Sequence, residues 1–154
     1  MDNLQDVKKI VNNRECRTMS TPLALVNTDR TKRIDTAHYV EGYATTFDKP
    51  YVLFEENTYR VVEIIDRNAL VGADMRDVIM RYDHKGKVLA RLSNGTLGME
   101  ADNIGLFVYA DLSKSRAAQE VYEEIGAGLI TQMSWNFSVL EDKWEESSIN
   151  RVNS

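Results

Sequence analysis

The side chains best suited to covalent chemistry in this chain are one hydroxyl and one imidazole. Ser134 lies in the string Met133-Ser134-Trp135-Asn136-Phe137-Ser138-Val139, and His84 follows the run Val78-Ile79-Met80-Arg81-Tyr82 and Asp83. A serine hydroxyl is a poor nucleophile at neutral pH unless an imidazole within hydrogen-bonding reach takes its proton. That imidazole works best when a third group holds its tautomer and favours its charged form. Met133, Trp135, Phe137 and Val139 alternate with Ser134, Asn136 and Ser138, which predicts a strand with its apolar set facing the core and its small polar set facing outward or into a cleft. The large side chains would anchor that strand and fix the direction of the hydroxyl. His84 sits in a turn after a strand, where a functional group can project from a rigid base. Pattern alone favours a plainer reading, in which Ser134 is an ordinary outward strand residue and His84 a solvated turn histidine.

Other chemistries have less support. The two histidines, His38 and His84, are 84 - 38 = 46 residues apart and form no HExxH-like pair, so metal catalysis is discounted. Cys16 is the single cysteine, which excludes an internal disulfide and a site built on several thiolates; it reads as an ordinary free cysteine. No GxxxxGK[ST] string occurs, and Gly126-Ala127-Gly128 ends a helix where a phosphate loop would begin one. No cofactor is expected. His38, among Asp35-Thr36-Ala37, reads as a loop histidine with a minor claim as a base.

The elements that must carry these groups follow from composition and pattern. At 154 residues, 43% hydrophobic and 28% charged, the chain has the make-up of a globular domain. Its net charge of -5, from 19 basic and 24 acidic residues, argues against nonspecific pull toward nucleic acid or anionic membrane. No apolar run approaches the roughly 18 residues of a membrane span, and the first residues lack a signal peptide's hydrophobic segment, so a soluble intracellular protein is expected. Residues 1–20 read as a weakly ordered lead-in, 21–146 as the domain and 147–154 as a polar tail. A strand near Pro22 is expected to give way to a mobile loop through Arg33. Strands are expected over 39–47, ended by Asp48-Lys49-Pro50, then over 59–65 and 78–82, with a turn entering a short helix at 66–70. Ser93-Asn94-Gly95 predicts a hairpin between 87–92 and 96–100, and Asp102-Asn103-Ile104-Gly105 a turn into the strand 106–110. One helix is expected over 114–125, capped by Ser113 or Ser115, with Ala118, Val121, Tyr122 and Ile125 packing on the sheet and glycine ending it. The fold class is therefore α+β, mainly β and antiparallel.

Several strings, in order, carry a resemblance. They are Glu41-Gly42-Tyr43-Ala44-Thr45-Thr46-Phe47, Glu63-Ile64-Ile65-Asp66-Arg67-Asn68-Ala69-Leu70, Tyr82-Asp83-His84, Asn103-Ile104-Gly105-Leu106, Ile125-Gly126-Ala127-Gly128-Leu129-Ile130 and the Ser134 string. Each is weak alone, and together they are fairly specific. On them the chain resembles the prohead maturation proteases of tailed bacteriophages, whose fold is related to the herpesvirus assemblins. The resemblance implies a barrel-like assemblin fold and a serine endopeptidase with Ser134 as nucleophile and His84 as general base. It implies a location inside the phage procapsid in the host bacterial cytoplasm. The implied substrates are scaffolding protein, the N-terminal part of the major capsid protein, and the protease itself; a homodimer is plausible. Ser134, Asn136 and Ser138 would leave an open, shallow cleft for an extended peptide.

One part of the family pattern is missing. Its third catalytic member lies on a strand after the serine strand, whereas here Glu146 is followed by a short polar run. A truncated or processed form, impaired in activity, is one expectation; recruitment of Asp142, Glu145 or Glu146 as the orienting group is the other. The rival reading is a noncatalytic β-rich scaffold or capsid-interaction module of the same assembly. An esterase is disfavoured, because no GxSxG elbow is present.

Overall fold

The protein is described from a computed structural model covering residues 5–6, 17–24, 32–83, 85–135 and 143–144. Among these residues the strands are β1 (Arg17–Ala24), β2 (Tyr39–Thr46), β3 (Pro50–Glu55), β4 (Arg60–Ile64), β5 (Ile79–Arg81), β6 (Val88–Arg91), β7 (Leu97–Ala101), β8 (Gly105–Asp111) and β9 (Gln132–Trp135), with helix α1 (Arg116–Gly126) between the last two. A five-stranded sheet has the order β7-β8-β2-β1-β9, while β3-β4 and β5-β6 form two-stranded ribbons. The domain is thus mainly β with one helix, as expected. The described strands form no closed barrel: the outermost strands β7 and β9 pair with β8 and β1 and not with each other.

Alternation decides which side of the sheet is core. Val40, Ala44, Leu106, Val108 and Ala110 are buried on one face, where Leu112, Leu97 and Ala118 of α1 complete the cluster. Burial of this apolar surface is the main stabilising contribution. Val121, Tyr122 and Ile125 of α1 pack against the same cluster, so the helical stripe read from spacing is the one that meets the sheet. Ser115 caps α1 by accepting from Ala118 N, and Gly128, at φ 76, ends it as Leu129 N bonds back to Glu124 O. The β7–β8 turn also forms where expected, with the Asp102 side chain accepting from Ile104 N and Gly105 N.

Two local expectations are corrected, and one strand was not anticipated. β2 ends before Asp48-Lys49-Pro50 as expected, but Pro50 also begins the unexpected β3, opposite Ile64 of β4, because a first strand position tolerates a residue without an N–H. Residues 67–72 form turns and no helix, tied by Ala69 N to Asp66 O and Val71 N to Asn68 O. The Asn94-Gly95 turn forms with Gly95 at φ 78, yet β6 pairs with β5 and β7 with β8, so it is a corner between sheets and not a hairpin. Thr96 fixes that corner: its hydroxyl accepts from Arg91 N at 2.8 Å and donates to Asn94 Oδ1 at 2.6 Å.

Candidate functional site

Ser134 lies within β9, which pairs antiparallel with β1 through Trp135 opposite Arg17, Met133 opposite Thr21 and Gln132 opposite Pro22. Between the first two pairs the register shifts. Three residues of β1, Thr18 to Ser20, therefore stand against the single Ser134, an irregularity of the bulge kind that re-aims a strand locally. β9 is an outer strand of the five-stranded sheet among the described residues, and the capped end of α1 feeds into it within a few residues. The Ser134 side chain lies outside what the structure describes, as do His84, Cys16, Asp142, Glu145 and Glu146. The expected separation of the 133–139 side chains onto two faces lies outside it too.

The flanks of His84 are described. β5 ends at Arg81, β6 begins at Val88, and Gly86 N donates to Tyr82 O at 2.8 Å across the intervening turn, in which Asp83 has φ 49. Leu89 and Ala90 are buried in the main core, and Val78 and Met80 pack against it, so the ribbon on either side of His84 is anchored to the layer that α1 covers. Ser134 and the strands that flank His84 thus belong to different sheets. His38 has a structural position: its ring meets Tyr122 of α1 edge-on at 4.9 Å, and its carbonyl accepts from Leu112 N at 2.9 Å.

The opposite face of the sheet carries a cluster that pattern reading missed. Pairing sets Tyr39, Glu41 and Tyr43 of β2 beside Asp111, Tyr109 and Phe107 of β8. Burial, then a 2.9 Å hydrogen bond to Glu41, push the Tyr39 phenol up to about 12. The hydrogen bond to Asp102, then burial, push Tyr43 to about 12 as well. Burial raises the Asp111 carboxyl, but hydrogen bonds from Ser113 and Thr36 outweigh it and hold the group below the usual carboxylate range. Every one of these groups has a partner inside the fold, as structural groups do. The alternation in residues 39–43 and 107–111 was the signal that could have revealed them.

The geometry defines a mainly β domain in which the Ser134 backbone lies on an outer strand of the main sheet, and the strands flanking His84 in sequence form a core-anchored ribbon. The chain belongs to the caudovirus prohead serine protease family, whose model matches residues 26–153. That range includes His84 and Ser134, and membership carries serine protease activity of the phage prohead in general. No curated protein and no solved structure matches the chain significantly. Among the described residues no helix is long and apolar enough to cross a membrane.

Proposed function

We propose that the protein is the serine endopeptidase of phage procapsid maturation, with Ser134 as nucleophile and His84 as general base on an assemblin-like fold. His84 takes the Ser134 proton as the hydroxyl oxygen attacks a peptide carbonyl carbon. It returns that proton to the leaving amine, and water then hydrolyses the acyl-enzyme. The acidic segment after β9 offers Asp142, Glu145 and Glu146 for the group that orients the imidazole. The substrates are scaffolding protein, the N-terminal part of the major capsid protein and the protease itself, inside the procapsid in the host cytoplasm. A homodimer is part of this reading. The observation that carries this reading is the family match, which spans both residues; the irregular β1–β9 register at Ser134 supports it.

The test is coexpression with the phage's capsid and scaffold proteins, beside Ser134→Ala and His84→Ala, with new termini mapped by mass spectrometry. Cleavage lost in both variants is expected. Equal cleavage in all three would overturn the assignment.

A further inference from the structure

His84 is joined directly to Asp83 on one side and, through Lys85, to Gly86 on the other. The ribbon holds these neighbours closely. Residues 82–87 connect its last paired positions, Arg81 and Val88. Behind that pair the register shifts: Met80 stands against Ala90 and Arg81 against Val88, which leaves Leu89 as an extra residue of β6. Strict alternation would turn either Leu89 or Ala90 away from the core, whereas the irregularity lets both be buried, at 6% and 3% exposure. The ribbon is thus clamped to the core close to the connection. Within the connection, Asp83 has φ 49, in the left-handed region that glycine, asparagine and aspartate enter and a β-branched residue resists. Gly86 N donates to Tyr82 O at 2.8 Å, which closes the segment 82–86 upon itself. A Cβ at Gly86 would lie 2.7 Å from Tyr82 O and 3.0 Å from Tyr82 Cβ, so only glycine fits there without opening that bond. Tyr82, Asp83, Lys85 and Lys87 are exposed, so the shape rests on the backbone and not on buried side chains.

We propose that the segment 82–86 is a preset backbone frame for the general base, with Asp83 and Gly86 as positioning residues for His84; this rests on the reading of His84 as that base. Asp83 acts through its backbone conformation and not its carboxylate, and Gly86 acts through the space it leaves beside Tyr82. A residue in a sparsely populated conformation persists only where its surroundings over-determine it, and such residues cluster where geometry serves function. Here the left-handed residue is the immediate neighbour of the base. A base must lie within hydrogen-bond reach of the proton it takes, and a misplacement of about 1 Å can cost about a hundredfold in rate.

The experiment uses the full chain as wild type, Asp83→Val, Asp83→Asn, Asp83→Gly, Gly86→Ala and His84→Ala. It measures the rate at which a fluorophosphonate acylates Ser134 across a pH series, at a temperature below every variant's melting transition. Asp83→Val and Gly86→Ala are expected to react about tenfold more slowly, with the midpoint of the pH profile unmoved. Asp83→Asn and Asp83→Gly, which accept a positive φ, should recover most of the rate. Equal loss in Asp83→Asn and Asp83→Val, or a midpoint moved in Asp83→Asn, would assign the effect to the carboxylate and overturn the frame. If Gly86→Ala does not fold, the exposed Asp83 series decides by itself. His84→Ala separates the two readings. Should it lose acylation while Asp83→Val matches wild type, His84 stands as the base and the frame fails. Should it react like wild type, or wild type itself fail to react, the base assignment falls and the frame's role falls with it.

Discussion

Replacing Gly105 with alanine tests the joint between β2 and β8 on which the sheet is built. A Cβ at this position would lie 2.0 Å from Thr45 O and 2.8 Å from Thr46 Cα, well inside any ordinary carbon–oxygen contact. Both obstacles are backbone, so no side chain can rotate away. The two strands would have to separate by more than an ångström where their register already shifts, between Tyr43 and Thr45. That movement would also strain the bonds from Phe47 N to Ile104 O and from Asp102 N to Gly105 O, 2.8 and 3.0 Å long. Overpacking commonly costs about 1–3 kcal/mol, and a clash with fixed backbone belongs at or above the top of that range. At roughly 2–4 °C per kcal/mol for a domain of this size, Gly105→Ala should lower Tm by roughly 6–12 °C. The assay is thermal unfolding followed by circular dichroism, with Val71→Ala, at a residue 80% exposed, as the control that should move little. A Gly105→Ala melting curve indistinguishable from the control would refute the described β2–β8 contact.

Further outcomes follow from the same contacts. Leu112, fully buried beneath α1, is expected to cost about 3 kcal/mol when cut to alanine, read as a shift in the urea midpoint at constant slope. Ser115→Ala removes the acceptor of Ala118 N and should cost about 1 kcal/mol in the same titration, with Ser115→Asp restoring most of it. Asp111 has a folded value held below its unfolded value of 3.8, so its stabilising contribution is present above that pH and is lost as pH falls through the folded value. Asp111→Asn should therefore be less stable than wild type at pH 7, and the gap should narrow in melts recorded toward pH 3; a constant gap would contradict the carboxylate's role.

Much of this architecture was legible because local and tertiary preferences agree. The 116–125 stripe is amphipathic at helical spacing and has a serine cap and a terminating glycine, so nothing in the sheet had to override it. The Asp102–Gly105 turn likewise holds the geometry that its side chain favours. The misreadings arose where a local signal fits two tertiary outcomes. Asn94-Gly95 forms its tight turn whether the flanking strands pair with each other or part into two sheets, and the side chain of Thr96 decides for parting. Asp48-Lys49-Pro50 stops β2 as read, but the same proline also opens β3, which the run of residues 50–55 did not announce. The candidate site was legible only as residue types in order, since Ser134 and the ribbon flanking His84 belong to separate sheets and sequence spacing does not encode how two sheets meet. The contacts of Arg33 with Phe107 and Glu100, and of Thr36 with Asp111, were hidden for the same reason: a segment rich in charge reads as solvated loop until a paired strand supplies those partners.

The most direct test of the central claim is active-site labelling. The full chain at pH 7.5 is treated with a fluorophosphonate probe and digested, and the adduct is located by mass spectrometry, beside Ser134→Ala and His84→Ala. A single adduct on Ser134, absent from Ser134→Ala and strongly reduced in His84→Ala, is the expected result. An adduct on another serine, or labelling of Ser134 that is indifferent to His84, would contradict the account.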